Sequence, residues 1–406
     1  MTLVGGTGAT VIGRVVLLAD ESAHYSIAGL TQLDRLLRTL EECFAPGLLA
    51  GSAPEVVVWW KSSSLVEQRQ TRLPVIQRVT REALASASNG ATLLLATNSI
   101  FRRGVLARLL DHPRECGALA LLEPGAFPAD WESLRARVSS ARTDQYVWVF
   151  QRADEVPAVE RQVLRSTGKP TDGLVSRMLN RPVSQLVSRL LVQTRVTPNQ
   201  ISLVVLVVLA VSLWTLARGS ASGFVIGMLL FHLASVLDGC DGEIARVKFL
   251  ESPRGALLDT SVDLLGNFLL PFAIGLGLSR SALVAPELRN FYLVEGILTS
   301  AGIALGIAAL ARARPRHARS DFNDFGSSVI DRFGVPRWLT ATLQTIANLL
   351  RRDSYVVVFV VLAVLSAPEW ILHFLAFGVA MHLPVIGWSW WTSNRAMAPI
   401  KASPRN

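Results

Sequence analysis

Apolar and polar positions follow two different rhythms along this chain. Up to about residue 165, short apolar runs alternate with helical patterns. VIGRVVLLA (11–19), EVVVWW (55–60) and ATLLLAT (91–97) predict buried strands, with GALALLEPG and YVWVF as further strand candidates. LTQLDRLLRTLEECF (30–44) and LPVIQRVTREALASA (73–87) have the spacing of helices. Such alternation predicts a doubly wound α/β sheet. Beyond residue 200 the apolar runs lengthen towards the ~20 residues that cross a bilayer. Spans are expected near 200–217, 222–240, 256–279, 291–311, 354–368 and 370–392, about six in all. Between the two regimes Val183, Leu186, Val187, Leu190 and Leu191 keep helical spacing beside Arg181 and Arg189. That pattern predicts an amphipathic helix on a membrane surface. The chain thus divides into an α/β domain (1–165), a juxtamembrane linker (166–199), an all-α polytopic membrane domain (200–395) and a basic tail (396–406).

One polar stretch interrupts the apolar half. DGCDGEIARVKFLESPRGALLDTSVD carries Asp238, Asp241, Asp259 and Asp263 in two pairs, spaced by three and by four residues. Those spacings place each pair on one helix face, and Pro253 with Gly255 marks a break between two helices. Two helices that each present two carboxylates to a common space form a site for two divalent cations. Oxygen donors alone favour Mg²⁺, Mn²⁺ or Ca²⁺ over Zn²⁺. Gly242 and Gly255 lie four residues from an aspartate on its own face, and Ala245 is small on that face too, so a ligand can approach. Arg246 adds a permanent cation suited to phosphate. A solvated polar patch at a helix end is the competing reading, but carboxylates beside membrane spans are costly and functional by default.

The stretch resembles the signature of the CDP-alcohol phosphotransferase family without a gap: D-x2-D-G-x2-A-R-x8-G-x3-D-x3-D, here Asp238, Asp241, Gly242, Ala245, Arg246, Gly255, Asp259 and Asp263. The resemblance implies an integral membrane enzyme that moves a substituted phosphate from a CDP-alcohol to a second alcohol and releases CMP. It implies Asp238, Asp241 and Asp259 as holders of two Mg²⁺ or Mn²⁺ ions, with Asp263 a further ligand and the general base. Asp238, Gly242, Ala245, Arg246 and Gly255 are expected to bind the CDP group. KPTDGLVSR and TPNQIS resemble segments before the first span of related enzymes, which makes Asn199 a candidate nucleotide contact. Asn after Pro at a helix start is also ordinary capping chemistry. Family likeness further implies a homodimer.

The first domain resembles, in element order, the nucleotidyltransferase-like domain that some family members carry, as in enzymes joining CDP-inositol to inositol phosphate. Its phosphate loop is missing. After the first strand the chain reads ADESAHYSIAG, acidic at Asp20 and Glu21 and without lysine or arginine, and GGTG at 5–8 precedes the strand. Where such folds keep a metal-binding aspartate this chain has Asn98, a poor Mg²⁺ ligand. A catalytically silent domain is expected, against the alternative of a bifunctional enzyme that also makes its CDP-alcohol from CTP. A phospholipid synthase using CDP-diacylglycerol and inositol phosphate or glycerol phosphate is the other alternative.

Charge fixes an orientation. The net charge of +9 comes with arginines clustered beside apolar spans, not interleaved with aromatics, so no nucleic-acid partner is expected. Outer loops carry Arg218, Arg280 and Arg289, whereas 312–352 alone holds Arg312, Arg314, Arg316, Arg319, Arg332, Arg337, Arg351 and Arg352. The positive-inside rule then puts both termini and the aspartates on the cytoplasmic side of the cell's inner membrane. Cys43, Cys116 and Cys240 have no disulfide or zinc spacing. The N-terminus does not read as a signal peptide. His232, His373 and His382 lie on apolar spans and are expected to be packed, and WSWW near 388–391 suits an interfacial belt.

Overall fold

The computed structural model describes residues 12–44, 54–62, 75–78, 91–109, 119–122, 130–139, 147–168, 175–313 and 352–381. Two compact units emerge: residues 1–168 with 188–195 and 243–250, and residues 169–187 with 196–242 and 251–406.

The first unit runs β1 (Ile12–Ala19), β2 (Ser26–Ile27), β3 (Leu30–Thr31), α1 (Gln32–Cys43), β4 (Glu55–Trp60), β5 (Val75–Arg78), β6 (Ala91–Ala96), β7 (Ser99–Phe101), α2 (Val105–Leu109), β8 (Leu119–Leu122), α3 (Trp131–Ser139), β9 (Val147–Val149) and α4 (Val156–Arg165). The main sheet has the order β5-β4-β1-β6-β8, parallel except for β8. β1 is central, with Val15 opposite Val56 and Leu93. Both faces of β1 are covered. Val15 and Leu17 pack with Leu33, Leu36 and Leu40 of α1, and Val16 and Leu18 pack with Trp131, Leu134 and Val138 of α3. Two-sided burial is why these strands read as unbroken apolar runs. The helix expected over 73–87 is a correction, since its first part is β5, paired in parallel with β4 from Val75 to Arg78. An open backbone edge on a buried strand outweighs a helical apolar spacing, and β-branched Val75 and Ile76 suit the ladder. The remainder of that segment, like GGTG at 5–8, lies outside the described residues.

Residues 188–195 and 243–250 are built into this unit around buried Arg35. Its guanidinium donates to the carbonyls of Ile27 (2.6 Å) and Val247 (3.0 Å), and Lys248 Nζ donates to Thr194 O at 2.7 Å. Phe249, in the left-handed region at φ 56°, lies against Arg35 and Arg103. Gly29, at φ 74°, admits no side chain, because a Cβ would stand 2.2 Å from Val192 O. Burial holds the Arg35 guanidinium down to about 10, so it stays charged at neutral pH. Arg35→Met keeps the bulk and leaves two buried carbonyls without their donor, for a loss of about 2–4 kcal/mol. The apparent melting temperature of the purified protein is expected to fall on the order of 5–10 °C. An unchanged melting curve would refute this account of the Arg35 contacts. Cys43 is a buried free thiol pushed up to about 12 by burial, and Cys240 is buried and free as well. Cys116 lies outside the described residues.

The second unit is helical. A single π turn (Ser176–Asn180) leads into α5 (Arg181–Val192). Met178 (78%), Leu186 (63%) and Leu190 (70%) are exposed along this stretch. Then follow α6 (Pro198–Ala217), α7 (Ala221–Lys248), α8 (Pro253–Arg280), α9 (Pro286–Ala313), α10 (Arg352–Val364) and α11 (Pro368–Met381). α8 packs against both α6 and α9. Along α6, Ile201, Val205 and Leu209 are buried while Leu203, Val204, Val207 and Trp214 face outward. A helix that is apolar on all sides needs lipid around it. Four helices, α6 to α9, are long and apolar enough to cross a membrane among the described residues. Six spans were expected, and the fifth and sixth are the correction. α10 and α11 are apolar but short, since 13 residues rise only about 20 Å against a ~30 Å hydrocarbon core. The rest of the expected last span, 382–392, with His382 and WSWW, lies outside the described residues. The chain is an integral membrane protein.

Candidate metal centre

Local sequence explains how the aspartates come together. α7 carries Asp238 and Asp241 near its C-terminal end. The turn after it closes with Leu250 N–H donating to Ala245 O at 2.9 Å. α8 begins with Ser252 as its cap, accepting from Gly255 N at 3.0 Å, and with Pro253 in the first turn. Asp259 and Asp263 then lie in the second and third turns of α8. The break expected at VKFLESPRG is where the two helices part.

Carboxylate oxygens of Asp238, Asp241 and Asp259 lie within 4.8 Å of one another. Asp241 is buried, and Asp238 and Asp259 are half-buried. Three like charges this close repel strongly where water is scarce, and a cation relieves that repulsion. Oxygen donors from two helices make a group that could hold a divalent metal, and among the described residues this group includes no histidine or cysteine. Asp263 is outside the close trio, although its charge, like that of Asp259, acts on Asp241.

The flanking residues separate into two sets. Gly255 faces Asn199, for a Cβ at 255 would lie 3.1 Å from Asn199 Oδ1. Asn199 is not the cap of α6. Thr197 and Gln200 form that capping box, with Thr197 N–H donating to Gln200 Oε1 at 3.0 Å. Gly242 belongs with the aspartates in the second unit. Ala245 and Arg246 are on the last turns of α7, in the 243–250 segment of the first unit, and both are half-buried.

Two features went unread in the sequence. Ser202, one turn along α6 from Asn199, donates to Asp241 Oδ2 at 2.6 Å. His373 on α11 was expected as a packed ring. Its Nδ1 lies 2.7 Å from Glu295 Oε1 of α9, with Tyr292 and Trp370 against the ring. Sequence separation of 78 residues hides that pair, whereas Ser202 was visible as a lone polar position inside ISLVVL.

In the first unit, this fold class binds ligands beyond the C-terminal ends of the strands where the order reverses, here β1 and β6. Asp20, Ser22 and Thr97 at that point bond to one another. Ser22 Oγ lies 2.8 Å from Thr97 Oγ1 and also bonds Asp20, while Thr97 N–H donates to Leu18 O at 3.1 Å. Nearby cations are engaged, Arg135 with Asp20 at 3.6 Å and Lys61 with Glu132 at 2.8 Å. Asn98 is buried and donates to Phe150 O at 2.8 Å.

Residues 195–313 match the CDP-alcohol phosphatidyltransferase family. The chain is similar to a protein of Thermococcus kodakarensis named "Bifunctional IPC transferase and DIPP synthase", 39% identical over 132 residues, 32% of this chain and 29% of that one. A protein of the same name from Archaeoglobus fulgidus is 26% identical over 253 residues, covering 61% of this chain and 45% of its own. A "Putative cardiolipin synthase" of Mycobacterium tuberculosis is 33% identical over 111 residues, 24% of this chain and 52% of that one. The chain thus spans between 29% and 52% of the length of these three relatives.

Proposed function

From a chain whose membrane part carries a CDP-alcohol phosphatidyltransferase domain over residues 195–313, we propose a CDP-alcohol phosphotransferase that releases CMP. The observation that carries this reading is the gathering of Asp238, Asp241 and Asp259 oxygens within 4.8 Å from two helices inside that domain. Asp238, Asp241 and Asp259 hold the metal ions, with Asp263 completing the set. Two Mg²⁺ or Mn²⁺ ions held by these residues would supply the charge that neutralises the diphosphate and stabilises the departing CMP. Asp263, beside the trio rather than in it, takes the proton from the acceptor hydroxyl. The acceptor oxygen then bonds to the phosphorus bearing the transferred alcohol, and the bond from that phosphorus to the CMP oxygen breaks. Asn199, Gly242 and Gly255 contact the nucleotide, while Ala245 and Arg246 line its approach and its phosphates. The site opens to the cytoplasm, where the basic loop 312–352 lies under the positive-inside rule. The protein acts as a homodimer.

CDP-inositol and inositol phosphate are the proposed substrates, supported by the name shared by the Thermococcus and Archaeoglobus relatives. The first unit supplies no CDP-alcohol in this reading, which the segment after β1 supports, since ADESAHYSIAG has no lysine or arginine to hold CTP phosphates. The mycobacterial relative's name favours a second reading, a phospholipid synthase using CDP-diacylglycerol. Detergent-purified protein in Mg²⁺, without CTP, tests both. Each CDP-alcohol is offered with inositol phosphate, and CMP release is measured. Release from CDP-inositol is expected. Release from CDP-diacylglycerol alone would replace the substrate assignment, and dependence of turnover on added CTP and inositol phosphate would restore a bifunctional enzyme.

A further inference from the structure

Ser202 is on α6, and Asp241, 39 residues later, is on α7. Both side chains are almost fully enclosed, Ser202 at 4% and Asp241 at 5% exposure. The serine hydroxyl has one proton and two acceptors in reach: Asp241 Oδ2 at 2.6 Å and Pro198 O, one turn back, at 3.3 Å. The shorter bond, to an ionised carboxylate, is the stronger one and takes the proton. A hydrogen bond to one oxygen restricts how the carboxylate can turn, and so limits where its other oxygen points.

We propose that Ser202 is a positioning residue for the metal centre: it holds Oδ2 of Asp241 so that the carboxylate meets the ions in a fixed orientation. The inference rests on the metal reading given above and adds a residue of α6 to it. A ligand on a rotatable bond that sits loose among like charges turns away from them. The hydroxyl removes that freedom, as partners of metal ligands generally do. In this role Ser202 acts through Asp241.

Mn²⁺ binding by the full-length protein in detergent, followed by the loss of the free-ion paramagnetic resonance signal, tests this without turnover. Ser202→Ala is expected to weaken Mn²⁺ binding by about tenfold to a hundredfold. Ser202→Thr, which keeps the hydroxyl, is expected to stay within about threefold of wild type. Equal binding by wild type and Ser202→Ala would overturn the inference while leaving the metal reading intact. Equal weakening in the Thr and Ala variants would assign the effect to packing and overturn it too. Wild-type protein that binds no Mn²⁺ would overturn the metal reading, and this inference with it.

Discussion

Asp263→Asn is expected to reduce CMP release by about 10²–10⁴-fold, while the CDP-alcohol still binds with near-normal affinity. The amide is nearly the same shape as the carboxylate and cannot take a proton. Asp263 is on α8 one turn beyond Asp259, outside the trio of close oxygens, so its loss removes a base and leaves three charged ligands in place. A hydroxyl acceptor is a weak nucleophile at neutral pH, which makes the chemical step depend on that base. Turnover and equilibrium binding of a labelled CDP-alcohol, measured on the same preparation, separate the two effects. Full turnover would rule out the base assignment. Loss of binding in step with turnover would make Asp263 a ligand of the ions first.

Much of this arrangement was legible because the groups concerned are close along the chain. Asp238 with Asp241, and Asp259 with Asp263, come as pairs on single helices, and the break between them is marked by Ser252, Pro253 and Gly255. Helical geometry then does most of the work of assembly. β1, β4 and β6 were legible because burial on both faces leaves an unbroken apolar signature. β5 was not. Four residues paired to β4 have their state decided by a neighbour 19 residues away, as Val56 meets Val75, and local spacing pointed to a helix. The span expected at 354–368 is cut short for another reason, because apolarity sets where a helix is tolerated but not where it stops. Here Ser366, at φ 59°, ends it. The bond from Ser202 to Asp241 and the pair of His373 with Glu295 depend on how whole helices pack, which no local pattern encodes. Asn199 falls between these cases. Its capping chemistry was a fair rival until Thr197 and Gln200 were found in that role.

Asp241→Asn tests the centre itself, because Asp241 is the most enclosed member of the trio. Asparagine keeps the shape and can still accept from Ser202, so folding and helix packing should survive. What it loses is a charged ligand, in a site where the remaining two carboxylates are half-exposed. Mn²⁺ affinity is expected to fall by more than about a hundredfold, beyond what losing a supporting hydrogen bond produces. CMP release should fall with it and recover only in part as Mn²⁺ is raised. This pattern differs from that for Asp263→Asn, where turnover falls and ion binding persists. Normal Mn²⁺ binding by Asp241→Asn would mean that the trio does not hold the ions. The closeness of its oxygens would then need another counter-charge.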